Sequence, residues 1–416
     1  MTCFVQRSVR WTVLLAALAV NGYFSASALN ASSSPAERER AEQAIREAAA
    51  ILSTNEVGPR ERSLALTKYR NAVGRLLPML KGDAAGPQRR HQKGFFNLRE
   101  FSELVSIERS RITVSGLNRD GLGLAVIGRI AQIGVTDPNA PGSGFVVPAT
   151  ALVLPDSDGR MELLLADPTS VETIEAFGKK LPVSMDLEAW LNAVEATGPP
   201  VGAGVRYMLH SDEFAHQARL VFLQPFDPDR TPVVLIHGLM STPRMWKPVL
   251  DGLLADREIR QHYQFWFFYY PTGQPVPFSA LQLRQALTEA VSRYPLRRPL
   301  FLIGHSMGGV LARAQVSRIS AAEAEQVVPE VGPLPAGSLA RNAVIFEPKT
   351  NVERIIFIAT PHRGSTVAMG NLAALGMRLI DLSAWIVSEL AEVSHFHAIF
   401  GYFSRILKSS TEKGCA

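Results

Sequence analysis

An apolar strand that runs straight into a glycine-framed serine constrains this chain more than any other feature. Leu300-Phe301-Leu302-Ile303 has the pattern of a strand covered on both faces. It enters Gly304-His305-Ser306-Met307-Gly308-Gly309, and the small-residue stretch Gly309-Val310-Leu311-Ala312-Arg313-Ala314 reads as the start of a helix. A tight strand-to-helix turn of this G-x-S-x-G kind strains the serine and holds its hydroxyl clear of the backbone. Glycines two residues before and after it leave room for the turn and for an approaching acyl group. Ser306 is therefore the candidate nucleophile.

A second element lies upstream. Pro232-Val233-Val234-Leu235-Ile236 reads as another buried strand and ends in His237-Gly238-Leu239-Met240. Acyl transfer on such a turn needs two hydrogen-bond donors for the oxyanion. One comes from the loop after this early strand, the other from the residue after the nucleophile. Those would be the backbone N–H groups of Leu239 and Met307. The stretch between His237 and Ser306 is long enough for the helix, strand and second helix the fold requires.

The intervening segments fit the same sheet. Gln264-Phe265-Trp266-Phe267-Phe268-Tyr269-Tyr270 is an aromatic strand closed by Pro271-Thr272-Gly273. Leu281 to Val291 has Leu283, Leu287 and Ala290 at helical spacing. Arg354-Ile355-Ile356-Phe357-Ile358-Ala359-Thr360 reads as a further buried strand and runs into Pro361-His362-Arg363-Gly364-Ser365. Strands alternating with helices predict an α/β fold with a doubly wound, mostly parallel sheet. Leu239, Ser306 and Pro361 then gather at the carboxyl ends of the strands, where ligands bind in such sheets.

Four stretches together resemble a family of exported bacterial α/β-hydrolases related to lipases and to GPI-inositol-deacylase-like serine esterases. They are Val233 to Trp246, YQFWFFYYPTGQP, GHSMGG and FIATPHRGS. Arg119 to Gly123 and the hairpin around Thr150 to Leu154 resemble its members too, so the likeness spans roughly residues 110–380. It implies an α/β-hydrolase fold, a serine esterase or lipase of ill-defined ester substrate, Ser306 as the catalytic serine and Leu239 in the oxyanion loop. It also implies an acid and then a histidine after the serine. The family's Ser-Asp-Gly-type segment and late histidine are not found here. After Ser306 the aspartate is Asp381 and the histidines are His362, His395 and His397. Glu347 and Glu353 precede the strand at Arg354. His362 sits too early to be the base and braces the site or is structural. Asp381, His395 and His397 read as residues of a helix and an irregular tail. The acid and base thus stay unassigned. The expectation is a C-terminally truncated hydrolase lacking its last strands, weak or inactive as an esterase. The alternative is a non-catalytic remnant or binding protein on the same scaffold.

At the other end, Arg7 and Arg10 precede the apolar run Trp11 to Val20, and Ala26-Ser27-Ala28 offers a cleavage site. This predicts a signal peptide over residues 1–28 and export to the periplasm, the outer membrane or beyond. Cys3 and Cys415, the two cysteines, would be separated by processing, so no disulfide framework is expected. Residues 29–110 read as a helical region, with Pro35 to Leu52 and Glu61 to Leu80 as helices and Ser34 as a cap. Residues 111–225 read as a small β-rich domain, and residues 226–416 as the hydrolase domain. Residues 321–342 are either a lid or a flexible surface insertion.

The 416 residues, 47% of them hydrophobic, can bury a large core. The formal charge of +5 includes the signal arginines, and no basic block marks a nucleic-acid surface. No Cys/His metal spacing and no phosphate loop occur, so neither a metal nor a cofactor is expected. The expected partner is a small-molecule or lipid ester. Association with a membrane surface and the oligomeric state stay open.

Overall fold

Ser34 caps the first described helix. Its hydroxyl accepts from the Glu37 N–H, the Glu37 carboxylate accepts in return from the Ser34 N–H, and Pro35 supplies a preset first turn. Helix α1 (Pro35–Ser53) buries Ala41, Ile45, Ala48 and Leu52, a single stripe at helical spacing. It packs against α2 (Pro59–Gly82), which buries Tyr69, Val73, Leu76 and Leu77. The structure, a computed structural model, describes residues 34–82, 93–107, 116–130, 137–142, 144–156, 158–200, 202–210, 218–327 and 335–362. The signal-peptide segment, Asp381, His395 and His397 lie outside these residues.

The described residues divide into two units. The first contains the two helices and an antiparallel sheet. Its strands are β1 (Phe95–Phe96), β2 (Phe101–Ser106), β4 (Leu124–Ile130), β5 (Phe145–Pro155) and β6 (Met161–Ala166), in the order β1-β6-β5-β4-β2. β3 (Asn118–Arg119), between β2 and β4 in sequence, pairs with β9 (Met185–Asp186), and after β6 the strand β7 (Thr173–Ala176) pairs with β8 (Lys179–Pro182). The hairpin expected around Thr150 to Leu154 is there, as β5 and β6. Asp156 ties it off by accepting from the Asp158 and Arg160 N–H groups. Asp186 caps α3 (Leu187–Thr197), whose Trp190 donates its indole N–H to the Val146 carbonyl. Two helices from later in the chain, Lys247–Ala255 and Arg257–His262, close the unit through Pro248–Gln261. There the buried Arg260 donates to the carbonyls of Gly116, Leu254 and Ala255.

One hydroxyl completes the central strand. β4 pairs with β5 no further than Ala151, which leaves Val153 without a strand partner on that side. Tyr69 of α2, fully buried, takes that place. Its hydroxyl donates to the Val153 carbonyl and accepts from the Val153 N–H, both at 2.9 Å. A helix side chain thus stands in for a neighbouring strand.

The second unit holds the sheet expected from the alternating pattern. A short helix, α4 (Ala203–Leu209), precedes β10 (Arg219–Phe222), β11 (Thr231–Ile236) and β12 (Tyr263–Tyr269). Then come α5 (Val276–Arg293), β13 (Leu300–His305), α6 (Met307–Val316), α7 (Ala321–Val327), α8 (Leu339–Val344) and β14 (Val352–Ile358). The strand order is β10-β12-β11-β13-β14. β12, β11, β13 and β14 run parallel, and β10 lies antiparallel at the edge. This is an α/β fold. β11 and β12 are apolar along their length because both faces are covered, and Val234, Leu235, Ile236, Trp266 and Phe268 are inaccessible to solvent. α5 buries Leu283, Leu287 and Ala290 as the spacing required, but it starts earlier, at Val276. Of residues 321–342, the described last part enters α8, which packs on α5 and buries Ala340, Ala343 and Val344.

β14 differs from its reading as a buried strand. Ile356, Phe357 and Ile358 are exposed. Among the described residues it is the outer strand next to β13, with no further strand beyond it.

Replacing Tyr69 by Phe keeps the packing and removes only the hydroxyl, so the Val153 N–H and carbonyl are left buried and unpaired. We expect a loss of about 2–3 kcal/mol of stability. A lowered urea midpoint at unchanged slope in Tyr69→Phe is the measurement that checks it.

Candidate active site

β13 sits between β11 and β14, and its carboxyl end delivers the serine. Ser306 occupies the turn between strand and helix with φ 52° and ψ −120°. A non-glycine residue rarely adopts this backbone, at a cost of about 1–3 kcal/mol. Local bonds hold it there. The Ser306 N–H donates to the Ile358 carbonyl at 2.9 Å, extending the β13–β14 ladder by one rung. The Ser306 carbonyl accepts from the Gly309 N–H at 3.0 Å as α6 begins. The flanking glycines are required by contact. A Cβ at Gly304 would strike the backbone of Gly308 and Gly309, and one at Gly308 would strike the Ile236 and His237 carbonyls. The turn is thus pressed on one side into its own helix and on the other into the end of β11.

The loop after β11 lies against the nucleophile. A Cβ built on Gly238 would stand 3.1 Å from the Ser306 Cβ and 3.0 Å from the His305 Nδ1. Leu239 and Met240 follow, each about half exposed, and Met240 takes a positive φ of 57°. The Leu239 loop, Ser306 and Met307 lie together at the sheet's carboxyl edge. Among the described residues, neither the Leu239 N–H nor the Met307 N–H has a hydrogen-bond partner. The Ser306 hydroxyl has none among them either.

His237 is a core residue, not a base. It is 1% exposed, its ring stacks on Tyr270 with centroids 4.5 Å apart, and its Nδ1 lies 3.1 Å from the Gly238 carbonyl. A carbonyl only accepts, so Nδ1 carries the proton and the ring is neutral. Burial lowers its pKa to about 4, partly opposed by that hydrogen bond. His362, placed by the sequence near the site, stands edge-on to Phe357 at 4.5 Å, and its backbone N–H donates to the Thr360 carbonyl. Burial, and then the Arg313 charge, hold its pKa below the usual histidine range. Neither histidine bonds to Ser306. Among the described residues, no group of His, Cys, Asp and Glu could hold a metal ion.

Two residues that sequence reasoning passed over complete the surroundings. The Tyr270 hydroxyl donates to the His237 carbonyl at 2.6 Å, and the Thr272 hydroxyl accepts from the Met240 N–H at 3.1 Å. Both lie in the Tyr-Pro-Thr-Gly run, which by itself signals only a strand end and a turn.

Residues 233–404 match the model of the alpha/beta hydrolase family. Among curated protein sequences none matches the chain. Two solved structures of the Bacillus licheniformis lipase BlEst2 are similar to it. The mature form is 20% identical at a TM-score of 0.27, over 47% of this chain and 64% of the lipase chain. The propeptide form is 21% identical at a TM-score of 0.24, over 45% of this chain and 33% of the other. The chain thus spans less than two thirds of the length of either.

Two outcomes follow from this geometry. Ser306→Gly relieves the strained φ, so that variant should gain on the order of 1 kcal/mol over the parent in denaturant titration, after the entropy cost of glycine is subtracted. The second concerns pH. Unfolded, His237 titrates near 6.5; folded, it resists protonation down to about 4. Its contribution is therefore complete above pH 6.5 and is lost as the pH falls toward 4. Stability measured across that window should decline in the parent, and His237→Asn should remove that part of the slope.

Proposed function

We propose that the second unit is a serine carboxylic-ester hydrolase working through an acyl-enzyme on Ser306. The observation that supports this most is the backbone of Ser306 itself. A left-handed serine between a parallel strand and a helix is a costly arrangement, and strain of this kind persists where a side chain has to be presented. In this reading the Ser306 Oγ attacks the ester carbonyl carbon and its proton passes to a base. The oxyanion forms against the Leu239 and Met307 N–H groups. The tetrahedral intermediate collapses by expelling the alcohol, which takes up a proton. Water then attacks the acyl-enzyme by the same route and releases the acid, restoring the serine.

Both donors belong to the backbone, and among the described residues neither is engaged, so they can receive a developing charge without prior rearrangement. The exposed Leu239 and Met240 side chains give the rim of the site an apolar character suited to the acyl part of an ester. The base and acid are to be sought among His395, His397 and Asp381. Export through the residue 1–28 signal belongs to the same proposal, as does a lipid ester as substrate.

A short-chain p-nitrophenyl ester assay tests the reading. Ser306-dependent turnover is expected, weak unless an acid and a base complete the triad; with a full triad Ser306→Ala should lose on the order of a millionfold. A fluorophosphonate probe should label the parent and not Ser306→Ala. Loss of turnover in His395→Ala or His397→Ala would identify the base. A folded parent with neither turnover nor labelling would instead favour a binding protein on the hydrolase scaffold.

A further inference from the structure

We propose that Tyr270 and Thr272 are positioning residues that lock the Leu239 N–H in its oxyanion-binding orientation. The consequence for turnover rests on the ester-hydrolase reading; the clamp itself is a matter of geometry.

The Leu239 N–H belongs to the peptide plane between Gly238 and Leu239. Rotating that plane would turn a carbonyl, an acceptor, toward the oxyanion and abolish the site. The loop around it invites such a rotation. It contains Gly238, its Leu239 and Met240 side chains are about half exposed, and Met240 already holds a positive φ of 57°. Both neighbouring planes are pinned, however. The plane between His237 and Gly238 is held at its carbonyl by the Tyr270 hydroxyl at 2.6 Å. The plane between Leu239 and Met240 is held at its N–H by the Thr272 hydroxyl at 3.1 Å. With both neighbours held, the middle plane can turn only by a paired rotation about ψ of Gly238 and φ of Leu239, which would carry Leu239 to a positive φ it does not now have.

The clamp is rigid for reasons of packing. Tyr270 is 3% exposed and Thr272 2%. The Tyr270 ring stacks on His237 on one side and packs 4.5 Å from it, with Phe268 stacked at 5.0 Å, so the hydroxyl has one direction to point. Burial also raises the Tyr270 pKa above the usual tyrosine range, which keeps the hydroxyl protonated and donating. The Thr272 bond has a second effect. It occupies the Met240 N–H, so that the Leu239 N–H is the donor left to the substrate between these two residues. The two hydroxyls come from one turn directly after β12, so a single tight loop orients another.

The test uses Tyr270→Phe, Thr272→Val and the double variant, with Thr272→Ser as the conservative control. Hydrogen exchange is followed by mass spectrometry in peptides covering residues 237–241, with peptides from β13 as the internal reference. Exchange in residues 237–241 should quicken about tenfold in the double variant while β13 stays unchanged. Ester turnover should show kcat lowered by roughly 10–100-fold with KM shifted by less than about threefold, because a donor to the transition state is lost rather than substrate binding. Thr272→Ser should restore both readouts. Unchanged exchange in residues 237–241 overturns the clamp, whatever the turnover. Faster exchange with full kcat overturns the positioning role, and so does a uniform rise in exchange that includes β13. If Tyr270→Phe does not fold, Thr272→Val gives the same readouts from a near-isosteric change. A parent without turnover, or a Ser306→Ala variant that retains it, defeats the hydrolase reading separately; the exchange measurement still decides the clamp.

Discussion

The close backbone contact between the Ser306 turn and the end of β11 is the constraint on which the second unit depends. The serine's strained φ persists because β13, α6 and the Gly238 loop meet with no side chain between them. Covered strands deliver both pieces. β11 and β13 are neighbours in the sheet, so their carboxyl ends emerge side by side, and the two loops that leave them must share the same small space. The chemistry of the site follows from that crowding. A hydroxyl is lifted out of a helix start, and N–H groups without a partner among the described residues lie beside it.

Much of this unit was legible in the sequence because its strands are covered on both faces. Covered strands read as unbroken apolar runs, and β11, β12 and β13 stand where those runs stand. Ser306, Leu239 and Met307 could be named because a strained strand-to-helix turn leaves a local signature in glycines. Other features left no such mark. The true start of α5 is hidden by Pro275 and Pro277, which resemble loop residues although proline suits a helix's first turn. β10 is four residues whose role comes entirely from antiparallel pairing with β12, a long-range fact. The exposure of β14 could not be read from its own apolar sequence, since covering depends on what stands alongside.

Tyr270 and Thr272 show the same limit at the level of the site. Their residue types are ordinary for a strand end, and nothing local says that their hydroxyls reach across to another loop. Tyr69 is the equivalent case in the first unit. It reads as one more apolar position on a helix face, yet its hydroxyl satisfies a backbone 84 residues away. Side chains that complete another segment's hydrogen bonding are invisible to periodicity, because the need they meet lies elsewhere in the chain.

The interleaving of the two units bears on how the protein is made. The first unit takes Pro248–Gln261 from beyond the start of the second, and the second takes Asp137–Pro141 from within the first. Arg260, in that late insertion, is what satisfies the Gly116 carbonyl far upstream. The first unit therefore cannot finish folding until part of the second has been made. The amino-terminal unit must wait, with the Gly116 carbonyl unmet, until residue 261 has emerged. That interval is when a growing chain is most exposed to chaperones and to its own neighbours.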